Sequence, residues 1–348
     1  MVRFGQRAST RVRLFRSAAL LAGLLMAWPW SVAAEDFYAG KTLKITTSSD
    51  AGGGYDLYTR LLARHIVRYI PGTPSTVVQN MSGGGGLRGA RYIYQLAAKD
   101  GTEFAEIHAT SMLDSILGIA GEEIDPTKYV WVGSMASDSD VCSFWKTSGI
   151  DSFADMLNKP SIIGATGKGA QAFTFPNAIN NVLGTQMKII LGYKGTGDRL
   201  LALERGEIAG SCGINGSTLV SVAERQIGDG SLIPIVQSGL TPHPAFPNVP
   251  LTQSFAKTDE QRAVLETIFS QMQIARVFAA PPGIPSERAK ILRAAFTAVM
   301  KDDALNAEAV KLKVDIIPWT GEEVQNLIAR LASISGDLKK KVKIAIGD

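Results

Sequence analysis

Four glycine-rich segments carry the most distinctive chemistry of this sequence. They span residues 48–55, 82–89, 164–169 and 192–197, and each follows a short apolar segment and precedes a helical pattern. Glycine lets the backbone approach a ligand closely, and the first turn of a helix points unpaired N–H groups and partial positive charge at it. One such segment could be only a tight turn. Four in one chain favour a binding site for a small anion.

Groups that could catalyse a reaction are sparse. His65, His108 and His243 lie far apart without metal-ligand spacing, so we expect no metal and no other cofactor. His108 follows a predicted strand and is a candidate to face the anion site, whereas Ser111 has no evident base. We therefore expect a binding protein rather than an enzyme. An exported enzyme that uses Ser111, His108 or Cys142 is the weakest alternative.

One glycine segment imitates a dinucleotide-binding motif. Residues 84–89 satisfy G-x-G-x-x-G between a strand and a helix, with Glu103 and Glu106 near the distance of the acidic residue that binds ribose. The match lies in a run of glycines, where it arises easily, and it follows the second strand rather than the first. We therefore prefer a simple anion to a nucleotide.

Strand and helix patterns alternate along the chain and predict the elements that hold these segments. Leu43 and Ile45 alternate in a strand before the first glycine segment, and apolar residues at helical spacing follow from Asp56. The same order repeats later in the chain, which is typical of parallel α/β sheets. We expect two such sheets in series. The closing helices are predicted from about Pro285 to Met300 and from Gly321 to Lys341.

Residues 1–34 are interpreted as a secretory signal peptide. Five arginines and no acidic residue accompany an apolar run from Ala18 to Trp30, and small residues end the segment at Ala34. An uncleaved membrane anchor is the alternative, but the run is short for a membrane span and contains Pro29. We expect cleavage, export to the periplasm and a soluble mature chain.

Removal of that segment changes the charge balance. The whole chain has 36 Lys and Arg against 32 Asp and Glu, and without the five arginines 31 basic groups face 32 acidic groups. The near-neutral mature chain gives no reason to expect nucleic acid or an anionic membrane as partner. The two cysteines, Cys142 and Cys212, would lie in an oxidising compartment, where they could form a disulfide or stay as thiols.

Six short motifs occur in order along the mature chain. They are AGGGYD at 51–56, GGLRGA at 85–90, DGT at 100–102, GATGKG at 164–169, YKG at 193–195 and PPGIP at 281–285. In this order they resemble the motifs of Bug-type (TctC-like) receptors, the extracytoplasmic solute-binding proteins of tripartite tricarboxylate transporters. The similarity covers essentially all of the chain after residue 34.

The resemblance implies an α/β clamshell of two domains, like type II periplasmic binding proteins. Each domain would hold a mostly parallel sheet flanked by helices, with the ligand cleft between domains. Domain 1 would comprise residues 36–136 and 275–348, and domain 2 residues 137–274. The implied function is a monomeric receptor that captures a small organic carboxylate (a di- or tricarboxylate or an aromatic acid) by domain closure and delivers it to membrane permease subunits. A receptor that presents its ligand to a sensor kinase would have the same fold.

The resemblance also assigns residues to the cleft. Carried over motif by motif, one wall holds Ser48, Ala51, Gly53, Tyr55, Gly86, Leu87 and Arg88, and the other holds Thr166, Gly167, Lys168, Gly169, Ala170 and Tyr193. This sequence departs from the family at Ala209, where an acid is usual, and at Tyr55 and Arg88, where smaller residues are common. Tyr55 and Arg88 could suit an aromatic or larger carboxylate, although Arg88 could equally point to solvent.

Overall fold

A computed structural model describes residues 1, 2, 5, 37–119 and 124–348, so the predicted signal peptide lies outside the described residues except at those three positions. The strands are β1 Thr42–Thr47, β2 Ser75–Asn80, β3 Glu103–Ile107, β4 Val130–Ser134, β5 Asp140–Trp145, β6 Ser161–Ala165, β7 Met187–Leu191, β8 Gly210–Asn215, β9 Leu232–Ser238, β10 Val277–Ala280 and β11 Trp319–Thr320. The helices are α1 Gly54–Ile66, α2 Leu87–Arg91, α3 Ala109–Leu117, α4 Phe153–Asn158, α5 Gln171–Leu183, α6 Thr196–Glu204, α7 Gly216–Gly228, α8 Asp259–Phe269, α9 Ser286–Val299, α10 Asp303–Lys311, α11 Gly321–Ala332 and α12 Gly336–Ile346.

The first sheet has the strand order β11-β4-β10-β3-β1-β2. β1 is parallel to both β2 and β3, while β10 is antiparallel to β3 and to β4. Because β4 and β3 both oppose β10, they run in the same direction. Four of the six strands therefore share one direction, and the predicted mostly parallel sheet is confirmed. Leu43 and Ile45 of β1 are buried in one cluster with Leu61 and Leu62 of α1, as their alternating and helical spacings predict.

The second sheet has the strand order β7-β6-β8-β5-β9. β6 is parallel to β7 and β8, and β5 is antiparallel to β8 and β9, so β5 is the single reversed strand. Helices pack on both sheets, which confirms the two-sheet α/β architecture. The reversed strands β5 and β10 are the first strands that the chain forms after it passes from one sheet to the other.

Two hydrogen-bonded segments connect the sheets. Met135 N donates to the Arg276 carbonyl oxygen at 2.9 Å, and Asp138 N donates to the Met272 carbonyl oxygen at 2.9 Å. All strands of the first sheet lie within the predicted domain 1 and all strands of the second within the predicted domain 2. The domain limits themselves stay a prediction.

The C-terminal region differs from its prediction in two ways. The helix predicted from Gly321 to Lys341 is two helices, because the chain turns at residues 333–335 and the Ser335 hydroxyl caps α12 through Leu338 N at 3.1 Å. In addition, α12 packs on α5 and α8 of the second sheet, although residues 336–348 were assigned to domain 1. The apolar face of α12, with Val342 and Ile346, is buried in the same cluster as α5 and α8.

The helices of the described region are all too short or too polar to cross a membrane.

Candidate functional site

The four glycine segments lie at the carboxyl ends of parallel strands. They follow β1, β2, β6 and β7 and lead into α1, α2, α5 and α6. In open α/β sheets this edge is where ligands bind. Segments 82–89 and 164–169 belong to different sheets and meet: a Cβ atom built on Gly85 would lie 2.9 Å from the Gly169 carbonyl oxygen. The two sheets therefore face each other across a narrow cleft, as the clamshell expectation requires.

Gly85 and Gly86 have positive φ angles of 65° and 96°, which glycine adopts without strain. A Cβ atom on Gly86 would lie 2.6 Å from Cγ of His108, so only glycine lets the backbone rest on that ring. His108 Nδ1 and the Ser111 hydroxyl both donate to the Gly85 carbonyl oxygen, each at 3.2 Å. These contacts fix the segment against the carboxyl end of β3.

The residues predicted for the first segment do not share one role. Ser48 is buried, and its hydroxyl donates to the Glu106 carbonyl oxygen at 2.9 Å, so it joins β1 to β3. Ala51 and Gly53 are exposed. Tyr55 is half-buried, and its ring stacks on His108 with a centroid separation of 4.0 Å. Of these four residues, Tyr55 is the one whose side chain contacts both His108 and Arg276.

The predicted residues of the second segment also differ in how exposed they are. Gly86 is buried beneath the loop and Leu87 is half-buried at the start of α2. Arg88 is exposed, and its Nη1 lies 3.5 Å from the Ser82 carbonyl oxygen of its own segment. The structure thus places Arg88 on the outer side of the loop, which corresponds to the solvent alternative.

The opposite wall is built from the second sheet. Thr166, Gly167, Gly169 and Ala170 are half-buried and lead into α5, whereas Lys168 is exposed. The Tyr193 ring packs under this wall, since a Cβ atom on Gly164 would lie 2.8 Å from Tyr193 Cε2. The site expectation for these six positions stays a prediction. Within this wall, the backbone of Gly169 meets the first domain at Gly84 and Gly85.

Arg276 is a cleft residue that the sequence prediction missed. It precedes β10 and is 2% exposed, and its guanidinium carbon lies 4.6 Å from the centre of the Tyr55 ring and 5.0 Å from that of Tyr58. Its Nη2 donates to Asn215 Oδ1 of the second sheet at 3.3 Å. The available signal was a single charge within the apolar run Ile274–Ala280, since arginine is rarely buried without a partner.

Two buried carboxyl groups lie near this arginine. Glu106, at the end of β3, accepts hydrogen bonds from the Thr47 hydroxyl at 3.1 Å and from Ser48 N at 3.3 Å. Burial raises the pKa of Glu106 to about 8 despite the attraction of Arg276. Burial, with the repulsion of Asp138, likewise raises the pKa of Asp140 to about 8. Glu106 is thus a buried core carboxyl and not the exposed acid of a dinucleotide site.

The candidates for catalysis have structural partners. Ser111 donates to the Gly85 carbonyl oxygen, and Cys142 forms a disulfide with Cys212 across β5 and β8. Burial lowers the pKa of His108 to about 4, so its imidazole is neutral at pH 7. The described residues contain no group of three or more His, Cys, Asp or Glu that could hold a metal ion.

Sequence comparison finds no protein-family model and no curated protein that matches this chain. Comparison of structures finds close folds. A periplasmic transporter superposes with a TM-score of 0.66 at 21% identity, covering 89% of this chain and 99% of its own. The periplasmic binding protein BugD gives 0.63 at 18% identity, covering 88% and 98%. MatC from Rhodopseudomonas palustris, solved with bound malate, gives 0.64 at 16% identity, covering 88% and 99%.

The chain has the fold of a Bug-type periplasmic binding protein. The fold expectation drawn from the six motifs is therefore confirmed over nearly the whole length of these neighbours. Two of these neighbours are described as a periplasmic transporter and a periplasmic binding protein. The contact between Gly85 and Gly169 therefore joins the two domains of this fold across the cleft.

Proposed function

We propose that this chain is a periplasmic receptor that captures a small organic carboxylate by closure of its two domains. One observation carries the proposal: glycine segments from the two different sheets meet at Gly85 and Gly169, at the carboxyl ends of their strands. A ligand bound beside this contact reaches both domains. Contacts made to both domains exist only in the closed state, so the ligand shifts the equilibrium toward closure without any chemical reaction.

The helix starts at the cleft support an anionic ligand. α1 and α5 have 13 residues each and begin at the first and third glycine segments. Neither N-cap, Gly53 or Ala170, supplies a capping side-chain hydrogen bond within the described structure. Phe173 N of α5 donates to the Ala170 carbonyl oxygen at 2.8 Å, whereas no capping side chain of the described region occupies the N–H groups that precede it or those at the start of α1. The helix dipoles favour the charge of a carboxylate at these positions. The bound malate of MatC, a neighbour with the same fold, supports this ligand class.

Delivery to a tripartite tricarboxylate-type permease is the finer part of the proposal. It rests on the six ordered motifs and on the signal-like segment at residues 1–34. The domain limits 36–136 with 275–348 and 137–274, a monomeric state and the periplasmic location belong to the same proposal. Mass spectrometry of the protein exported by a Gram-negative host tests the location, and the expected N-terminus is Glu35.

A carboxylate panel tests the receptor function. Thermal unfolding and small-angle scattering are measured with di- and tricarboxylates, aromatic acids and amino acids. We expect at least one compound to raise the Tm and to reduce the radius of gyration, since a ligand at 100 times its Kd stabilises the folded state by about 2.7 kcal/mol. A panel in which no compound changes either quantity would contradict the proposal.

A further inference from the structure

Polar side chains converge around the Tyr55 ring where the two sheets meet, and all but the half-buried His108 are buried. Val277 of β10 pairs with Ile107 of β3, so the preceding Arg276 continues that register opposite His108. On the second sheet, Asp140 of β5 pairs with Asn215 at the end of β8. We call five of these residues the cleft floor: Glu106, His108, Asp140, Asn215 and Arg276.

Arg276 makes no direct ion pair within the described residues, and Glu106 and Asp138 attract it only from a longer distance. Among the residues that the structure describes, no carboxylate lies within 4.0 Å of its guanidinium, although the side chain is 2% exposed. Its Nη1 donates to the adjacent Ala275 carbonyl oxygen at 2.8 Å, its Nη2 bond to Asn215 is long, and its Nε has no hydrogen-bond partner in the described part of the chain. A buried charge without a partner is costly, so this arrangement is matched to an incoming anion.

Nε2 of His108 has no hydrogen-bond donor among the residues that the structure describes. His108 Nδ1 faces the Gly85 carbonyl oxygen, which only accepts, so the neutral ring carries its proton on Nδ1 and Nε2 is an acceptor. Nε2 is buried and unpaired within the described residues, and so is Oε1 of Glu106, a residue that is 0% exposed. A bare carboxylate offers only acceptors, so it can satisfy Arg276 but not His108.

The second sheet also contributes both a hydrogen-bond donor and carboxyl oxygens. Asn215 Nδ2 is an unpaired buried donor, and both carboxyl oxygens of Asp140 are buried and unpaired within the region described. Asp140 is 1% exposed. Closure therefore brings both donors and acceptors to the ligand from each domain. An unsatisfied buried polar group is costly, so a ligand that pairs all of these groups is favoured over one that pairs only some.

We propose that the cleft floor is a ligand-binding subsite selective for carboxylates with an adjacent hydrogen-bond donor, that is, α-hydroxy or α-amino carboxylates. Arg276 and Asn215 bind the carboxylate, and His108 Nε2 accepts from the neighbouring hydroxyl or ammonium group. This inference rests on the proposed function and makes it more specific. It assigns ligand discrimination to side chains beneath the glycine segments, and not to Arg88 or Lys168.

Matched ligand pairs test the selectivity without any mutation. Calorimetry compares lactate with propionate, malate and aspartate with succinate, glutamate with glutarate, and citrate with tricarballylate. We expect the member with the donor to bind at least about tenfold more tightly, because its analogue leaves His108 Nε2 unpaired. Malate against aspartate then distinguishes a hydroxyl donor from an ammonium donor.

Variants test the assignment of residues. Arg276→Met is expected to weaken binding of the preferred acid at least about 30-fold, whereas Arg88→Met, at an exposed arginine of the neighbouring loop, changes it less than threefold. His108→Phe keeps a ring against Tyr55 and is expected to reduce the preference for the donor-bearing acid. Circular dichroism and Tm establish that each variant is folded, and if Arg276→Met is not, the matched ligand pairs decide alone.

The outcomes separate the inference from the function on which it rests. Equal affinity of the paired acids, or unchanged binding in folded Arg276→Met, would overturn the cleft-floor subsite while the receptor function stands. If only acids without an α-donor bind, the same conclusion follows. If no carboxylate of any kind binds, both the subsite and the proposed receptor function are wrong.

Discussion

Gly85 and Gly169 approach each other across the cleft in an asymmetric way. A Cβ atom on Gly85 would lie 2.9 Å from the Gly169 carbonyl oxygen, whereas a Cβ atom on Gly169 would lie 3.6 Å from Gly85 Cα, which is ordinary contact. Gly85 also has a φ of 65°. This contact between the two glycine walls thus depends on the absence of one particular Cβ atom.

The first prediction concerns that Cβ atom. Gly85→Ala is expected to weaken binding of the ligand identified by the carboxylate panel at least about tenfold and to enlarge the liganded radius of gyration, because the methyl group meets the opposite wall in the closed state. Calorimetry and small-angle scattering measure the two effects.

Two variants control for other causes in Gly85→Ala. Gly169→Ala tests the effect of a methyl group on the other side of the same contact, where the Cβ atom lies at an ordinary contact distance. Gly149→Ala tests the effect of backbone strain alone, because its φ is 72° and no atom lies within 4 Å of the added Cβ. Both are expected to bind within about threefold of the native protein. Equal losses in Gly85→Ala and Gly149→Ala would show that backbone strain, and not the cleft contact, is responsible.

The second prediction concerns the Cys142–Cys212 bond, which is buried in the second sheet and joins residues 70 positions apart. Replacement of both cysteines by alanine is expected to lower the free energy of unfolding by about 4 kcal/mol, since the open chain gains loop entropy when unfolded. Urea unfolding of the two proteins measures the loss. Thiol titration of the native sequence in denaturant without reductant should find no free thiol, and two thiols would contradict the bond.

The third prediction concerns Glu106. Its pKa is about 8 in the folded protein because of burial, against about 4.3 in an unfolded chain, so the folded state holds a proton that the unfolded state has lost between these values. Stability is therefore greatest at low pH and falls as pH rises toward 8. Asp140, with a pKa of about 8, and Asp114, with a pKa of about 7, act with the same sign.

The measurement is urea unfolding at pH 6.5 and 8.5, a range in which the neutral His108 ring contributes little. We expect the native protein to lose stability, and Glu106→Gln to lose on the order of 2 kcal/mol less, because glutamine does not titrate. Glu287→Gln, at an exposed position on α9, should behave as the native protein does. Identical pH dependence in all three proteins would contradict the raised pKa of Glu106.

The fourth prediction concerns Arg88. Its side chain is exposed and lies along its own loop at Ser82, so Arg88→Ala is expected to change ligand affinity less than threefold. Calorimetry with the ligand from the panel measures the affinity. A loss of tenfold or more, combined with an unchanged Tm, would show that Arg88 turns into the cleft when the ligand binds.

The sequence determined the local chemistry of this protein. Glycine clusters after alternating strands can form turns with positive φ and close backbone contacts, so residues 48–55, 82–89, 164–169 and 192–197 could be recognised as βα loops from their composition. The apolar spacing of Leu43, Ile45 and Leu61 likewise specified strand and helix. The break between α11 and α12 was missed because a serine cap competes only weakly with a sustained helical pattern.

Only the tertiary structure decided which side chains share the cleft. Arg276 and His108 are 168 positions apart and become neighbours because β10 returns from the second domain to lie against β3. Burial raises the pKa of Glu106, and burial arises from packing that no local pattern contains. Arg88 and Lys168, the most conspicuous charges in the glycine segments, lie outside because loop direction depends on the elements that the loop joins. The glycine loops could therefore be predicted from the sequence. The cleft floor beneath them forms only because the chain returns from the second sheet to the first.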